Sequence, residues 1–322
     1  MITERRTLIL TFALTAILVA IPFVAAQGTG IQYQHANGVV TLSTDDIGIK
    51  VSAVNKVPHF QFWDEAEDTP GADYHVTFSK LFEANDTNAN GAYDAGVDHR
   101  YGDPYTLPTD DWEFSGFATD EEGDIVTGVH FNFTNEDTFT PPTPTLLADM
   151  PSSMNLEIQI RVHINLTDSN EMKFDIRLEG WEWMYDDSIL VFQFTVAESE
   201  HGQQEGTGEP ATFEEDASGY RFEFGEAYME CASFAFADNS TVDPHQVQMK
   251  ATHGEAEGEA IGESVYLAFE YFGNETLDYD PTLGILSEGD SPPPLSSDQL
   301  LIVAGGAIVL LVVIALVVRT RR

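Results

Sequence analysis

Between Leu156 and Leu178 the chain alternates apolar and polar residues with a period of two, and few folds tolerate that pattern. Leu156, Ile158, Ile160, Val162, Ile164 and Leu166 interleave with Glu157, Gln159, Arg161, His163 and Asn165. Successive side chains of a strand point to opposite faces, so this spacing demands one dry face and one wet face. Asp168-Ser169-Asn170 supplies turn residues, after which Met172, Phe174, Ile176 and Leu178 alternate with Lys173, Asp175 and Arg177. The pair reads as a β-hairpin. Beyond Gly180 the phase shifts to Trp181 and Trp183, which predicts a bulge.

The same rule predicts strands over 39–43, 47–53, 58–63, 74–82, 112–118, 124–133, 188–197, 219–224, 227–236, 245–250 and 264–272. No amphipathic helix is evident away from the two ends. Many half-wet strands imply antiparallel sheets packed face to face. The expected fold class is therefore all-β: an antiparallel β-sandwich ectodomain over 27–286, followed by one C-terminal transmembrane helix. Thr138–Met154, Glu198–Gly219 and Thr252–Glu263 lack apolar periodicity and read as loops. The first marks a possible split into two domains near 138–154, although one large sandwich is the preferred reading.

The ends set the expected compartment. Arg5-Arg6, an apolar run from Leu8 to Val24 and small residues at Ala25-Ala26 have the layout of a signal peptide over 1–26. Leu300–Val318 is nineteen residues without a charge, about 28 Å as a helix and thus the thickness of a bilayer's apolar layer. Arg319, Arg321 and Arg322 follow in a basic tail over 319–322, which places the tail in the cytoplasm and the ectodomain outside. Prolines and small polar residues make 287–299 a stiff stalk. The reading is an integral, single-pass protein of the cell membrane.

Residues 27–298 hold nine basic residues against fifty-three acidic ones, a surplus of 44 negative charges. That field repels nucleic acid and anionic headgroups, so neither is an expected partner. It also strains a compact fold by self-repulsion, which salt or bound divalent cations must screen. The abundant aromatic and β-branched residues argue against disorder. Cys231 is the chain's one cysteine, so no intrachain disulfide exists; its surroundings suggest a small buried hydrophobe.

The most specific chemical motif is Asp86-Thr-Asn88-Ala-Asn90-Gly91-Ala92-Tyr93-Asp94-Ala-Gly-Val97-Asp98. Calcium takes six to eight oxygens on a flexible loop with glycine at the sixth position. The segment resembles the EF-hand-like calcium loops of extracellular modules. That resemblance implies side-chain ligands Asp86, Asn88, Asn90 and Asp94, with the Ala92 carbonyl at position seven. Position twelve is Val97, and the acid falls one residue late at Asp98, so weak structural calcium binding is expected. The alternative is an Asn-Gly surface turn. Five Asn-x-Thr sequons, at Asn85, Asn132, Asn165, Asn239 and Asn274, mark expected glycan acceptors, with Asn85 crowded by the loop.

His75, His130 and His163 fall on the wet phases of their strands and would converge on a metal if those strands were neighbours; solvated histidines are the plainer reading. His253–Glu259 is an acidic, glycine-containing stretch suited at best to loose cation binding. Trp181, Trp183 and Tyr185 suit either a sugar-stacking platform or the core. No carboxylate pair stands out among so many acids, and no nucleophile-elbow, phosphate or dinucleotide motif is present.

Val57-Pro-His-Phe60, Tyr74–Glu83 and Tyr279-Asp-Pro-Thr-Leu-Gly-Ile285 together resemble uncharacterised archaeal cell-surface proteins of signal, sandwich and anchor layout. The resemblance implies that architecture and no activity. The leading expectation is a non-enzymatic envelope, adhesion or ligand-binding ectodomain, with a carbohydrate or surface protein as ligand. A surface-anchored carbohydrate-active or other hydrolytic enzyme is one alternative; a solute-binding ectodomain serving a membrane partner is another. The oligomeric state is not legible.

Overall fold

The computed structural model describes residues 30–286 apart from 54–56, 67–70, 110, 141–152, 201–211, 217, 240–241 and 256–261. The expected signal peptide, stalk, apolar span and basic tail lie outside the described residues, as does the end of the His253–Glu259 stretch. Among the described residues no helix is long and apolar enough to cross a membrane.

The described chain is all-β. Its strands in chain order are β1 Gln32–Ala36, β2 Val39–Ser43, β3 Ile47–Ser52, β4 His59–Asp64, β5 Ala72–Asn85, β6 Tyr105–Thr106 and β7 Glu113–Phe114. Next come β8 Ala118–Glu122, β9 Ile125–Phe139, β10 Met154–Asn165, β11 Glu171–Glu179, β12 Ser188–Glu200, β13 Thr212–Glu215 and β14 Gly219–Phe224. The last are β15 Ala227–Ala232, β16 Phe234–Asn239, β17 Val242–Glu255, β18 Glu263–Glu270, β19 Thr276–Tyr279 and β20 Thr282–Ile285. A single 3-10 turn, Leu166–Asp168, joins β10 to β11.

Two antiparallel leaves result. In the first, β1 to β5 form a meander that β12, β18 and the second half of β17 extend. In the second, β7 and β8 pair with β9, then β10 and β11 follow. β11 is shared end to end by β19, on Ile176–Leu178, and β20, on Glu171–Lys173. β16 and the first half of β17 continue from β19, and β15, β14 and β13 continue from β20. Because β17 pairs with β16 up to Gln248 and with β18 from Met249, one strand passes between the leaves.

The dry faces meet in one core. Across it, Phe60 of β4 reaches Phe174 of β11 at 4.7 Å between ring centroids, and Phe269 of β18 reaches Tyr279 of β19 at 5.0 Å. Both lie in the range that edge and offset aromatic pairs prefer. The expected hairpin is in place: Ile158 faces Leu178, Ile160 faces Ile176 and Val162 faces Phe174, all buried. Cys231 is buried, as expected, and burial pushes its thiol up to about 12. Trp181 is buried, and Trp183 packs against the core with its indole N–H donating to the Gly273 carbonyl at 2.8 Å, so these rings serve packing.

Some sequence expectations need correction. The strand expected over 112–118 breaks at Gly116, whose φ of +83° bends the chain between β7 and β8. The one expected over 227–236 is two strands. At Ser233 the backbone turns aside to bond Ser218 and Met249, and the chain changes partners. No bulge follows β11. The strand ends at Glu179, and Gly180 sits at φ +82° with the Asn155 carbonyl oxygen 1.9 Å from where a Cβ would stand. The expected loops are also shorter: β12 runs on to Glu200, β17 to Glu255, and β13 lies within 198–219. A ladder needs backbone partners rather than apolar side chains, and those partners are remote in sequence.

Glu83 of β5 fixes the 180–187 segment. It is buried and accepts the N–H groups of Met184 at 2.9 Å and Tyr185 at 3.0 Å, and the Ser188 hydroxyl at 2.5 Å. Burial raises its pKa above the ordinary 4.5, and the three donors only partly offset that. Above pH 4.5 the unfolded chain has released a proton that the native state still holds, so stability falls as pH rises through the raised native value. Glu83→Gln is expected to flatten this part of the pH–stability profile in urea titrations. Glu83→Ala, which orphans the donors, is expected to cost about 3 kcal/mol. An unchanged slope in Glu83→Gln contradicts the assignment.

Candidate functional site

The 86–98 loop leaves the end of β5 and lies on the outer face of the first leaf. Asp86 closes it: one carboxylate oxygen accepts the Asn90 N–H at 3.0 Å and the other the Gly91 N–H at 2.6 Å. Asn90 Oδ1 accepts the Ala92 N–H at 2.8 Å, and the Asn88 and Asn90 amides both donate to Asp94 Oδ2, at 2.7 and 2.8 Å. Ala89 and Gly91 adopt φ of 56° and 78°, which the tight winding requires. The late acid is also explained. Val97 is 49% exposed, whereas Asp98 is 4% exposed and accepts the Thr87 and Asp94 N–H groups at 2.8 and 2.7 Å. Position twelve therefore points out, and the carboxylate one residue later points in. The expected ligand atoms are all oxygens, which suits calcium, although the Asn88 and Asn90 amides turn their nitrogens toward Asp94 here.

Beneath the loop is a second apolar cluster. Phe82, Ala84, Ile189, Val191, Tyr266 and Ala268 are buried on the leaf's outer face, and Tyr93 of the loop completes the group. Its ring lies 5.0 Å from Phe82 and 5.1 Å from Tyr266. The Thr252 hydroxyl donates to the Tyr93 carbonyl at 2.5 Å, and the Lys250 ammonium donates to the Asn90 carbonyl. The loop is thus the lid of a cluster that would otherwise face water. Tyr93→Ala is expected to lower stability by about 3 kcal/mol, in line with emptying a buried aromatic site, as read by chemical denaturation. A change below about 1 kcal/mol contradicts the lid role.

The three histidines part company. His130 and His163 are direct cross-strand partners, with ring centroids 5.9 Å apart. His75 sits in the other leaf. Although on the expected wet phase it is buried, because polar neighbours close over it: its ring bonds His59 at 2.9 Å and the Ser199 hydroxyl at 2.7 Å. Beside His163, sequence reading overlooked two acids, Asp175 of β11 and Asp280 in the β19–β20 connection. One ligand atom from each of the three lies within 4.8 Å of the others. Burial, then the Asp280 carboxylate, push Asp175 well above the ordinary carboxylate range, and burial lowers His163.

A cleft of about 340 Å³ opens where β4, β5, β12 and the β14–β15 turn meet. Asp64, Glu198 and Glu226 line it beside Tyr74. Gly225 closes it at φ +64°, with a Cβ there only 2.7 Å from the Tyr74 ring. Of the sequon asparagines, Asn165 and Asn274 are exposed, Asn132 and Asn239 are half-buried, and the Asn85 side-chain carbonyl accepts the His99 N–H at 2.6 Å.

No protein-family model matches the sequence, and no curated protein matches it. Among solved structures, the heparan sulfate lyase HepC from Pedobacter heparinus aligns at 10% identity over 83% of this chain and 36% of that one, with a TM-score of 0.36. Heparinase III, the BT4657 gene product, aligns at 9% identity over 82% and 36% of the two chains, also at 0.36. The chain spans about a third of the length of these structures, and likeness at this level carries no functional inference.

Proposed function

We propose that this chain is a non-enzymatic cell-surface module: an acidic β-sandwich displayed outside the cell, anchored by the 300–318 span and stabilised by calcium at the 86–98 loop. The observation that carries the reading is the buried Asp98 in a loop that Asp86 closes and whose Tyr93 lids an apolar cluster. A cation there would hold the lid closed. Asp86, Asn88, Asn90, Asp94, Asp98 and the Ala92 carbonyl would supply the oxygens. The role is then structural, and it answers the charge surplus at one defined place. Asn132, Asn165, Asn239 and Asn274 are the proposed glycan acceptors, and envelope structure, adhesion or ligand binding the proposed task.

The acidic cleft supports a second reading, a carbohydrate-active surface enzyme, since Glu198 and Glu226 both line it. Three carboxylates there oppose a polyanionic substrate and favour a neutral one. Turnover of neutral glycans, lost in Glu198→Gln, would replace the first reading with this one.

The first reading is tested by thermal unfolding of the purified protein in calcium, in chelator, and in sodium chloride of matched ionic strength. At the weak affinity typical of extracellular loops, about 10⁻⁴ to 10⁻³ M, about 10 mM calcium contributes roughly 1.4 to 2.7 kcal/mol. A rise in midpoint beyond that of matched salt, absent in Asp86→Ala, is the expected result. Equal stabilisation by salt means charge screening alone.

A further inference from the structure

We propose a second, chemically distinct metal site on the outer face of the second leaf, where His163, Asp175 and Asp280 hold a divalent transition ion of the zinc class.

The register builds it. His163 of β10 faces Lys173 across the hairpin, and Asp175 stands two residues along β11 on the same face. β19 pairs Tyr279 with Ile176, which delivers the next residue, Asp280, alongside Asp175. His163 Nε2 lies 3.6 Å from Asp175 Oδ1, too far for a hydrogen bond. Both atoms are shielded from solvent and neither has a hydrogen-bond partner, although the Asp175 carboxyl as a group is within hydrogen-bonding reach of Asp280. Buried polar atoms are almost always satisfied, so two orphans facing one another call for something between them. Zinc bonds of about 2.0 to 2.1 Å set tetrahedral ligands about 3.4 Å apart, close to the spacing found.

Arg161 and Lys173 act on Asp175 and His163 through space, but neither hydrogen-bonds the two orphaned atoms. Arg161, opposite Asp175, places its guanidinium 3.5 Å from Asp278, and Arg177 bonds Asp278 at 2.9 Å and Glu179 at 2.8 Å. His130, the cross-strand partner of His163, is itself held by Asp120 at 2.6 Å. One imidazole and two carboxylates suit zinc or cobalt and leave a coordination position open. The imidazole nitrogen disfavours calcium, so this site and the 86–98 loop select different ions.

The test uses purified, metal-free full-length protein titrated with cobalt, the visible-absorbing stand-in for zinc. One equivalent is expected to give a ligand-field band that zinc bleaches. Asp280→Asn, at an exposed position and so harmless to folding, and Asp175→Asn should each weaken binding at least tenfold. Asp86→Ala should leave it unchanged. A wild-type protein that gives no cobalt band, or variants that bind as tightly as wild type, overturns the proposal; the two carboxylates would then share a proton.

Discussion

Everything in this molecule depends on a dry seam between two leaves that must hold against a surplus of 44 negative charges over residues 27–298. Rings such as Phe60, Phe174, Phe192 and Phe269 are wholly buried in that seam, each worth about 1.5 to 3 kcal/mol relative to exposure. The acids stand on the outer faces, where water and salt weaken their repulsion within about 10 Å at ordinary ionic strength. The seam supplies cohesion, and the alternation of strands such as β10 and β11 keeps their charges out of it. β17, which pairs into both leaves, ties them together through backbone bonds that no charge disturbs.

Where charge does come inward it is answered locally. Glu83 is ringed by donors, and Arg221 is buried between Glu223 and Glu230 with its guanidinium 3.9 Å above the Tyr228 ring. The acids of the 86–98 loop are likewise capped by N–H groups, whereas His163 Nε2 and Asp175 Oδ1 have no such partner. Both groups lie on outer faces, and each is a proposed cation site. The chemistry separates them: oxygen alone in the first, oxygen with imidazole in the second.

Much of this was legible in the sequence because it is local. The hairpin of β10 and β11 follows from period two alone, and the proposed loop ligands are those that the resemblance to calcium loops implies. The inward turn of Asp98 was allowed for but could not be decided, since it rests on how Gly91 and Gly96 wind the loop. What was hidden is non-local. Tyr93 looks like an ordinary loop residue until β5, β12 and β18 are known to be neighbours, and their order leaves no trace in any one segment. The pairing of His130 with His163 required the β9–β10 register, and Asp280 entered only through a strand, β19, whose alternation spans four residues. His75 misled because its phase was read without the polar partners that bury it.

Terbium luminescence tests most directly the claim that the 86–98 loop is a cation site locking a lid. Tyr93 lies within the loop, so excitation of tyrosine should sensitise a terbium ion bound by Asp86, Asp94 and Asp98. The account predicts emission that grows with terbium, is displaced by calcium but not by sodium, and disappears in Asp86→Ala. Absence of sensitised emission from the folded protein, or emission that sodium removes as readily as calcium, would contradict it.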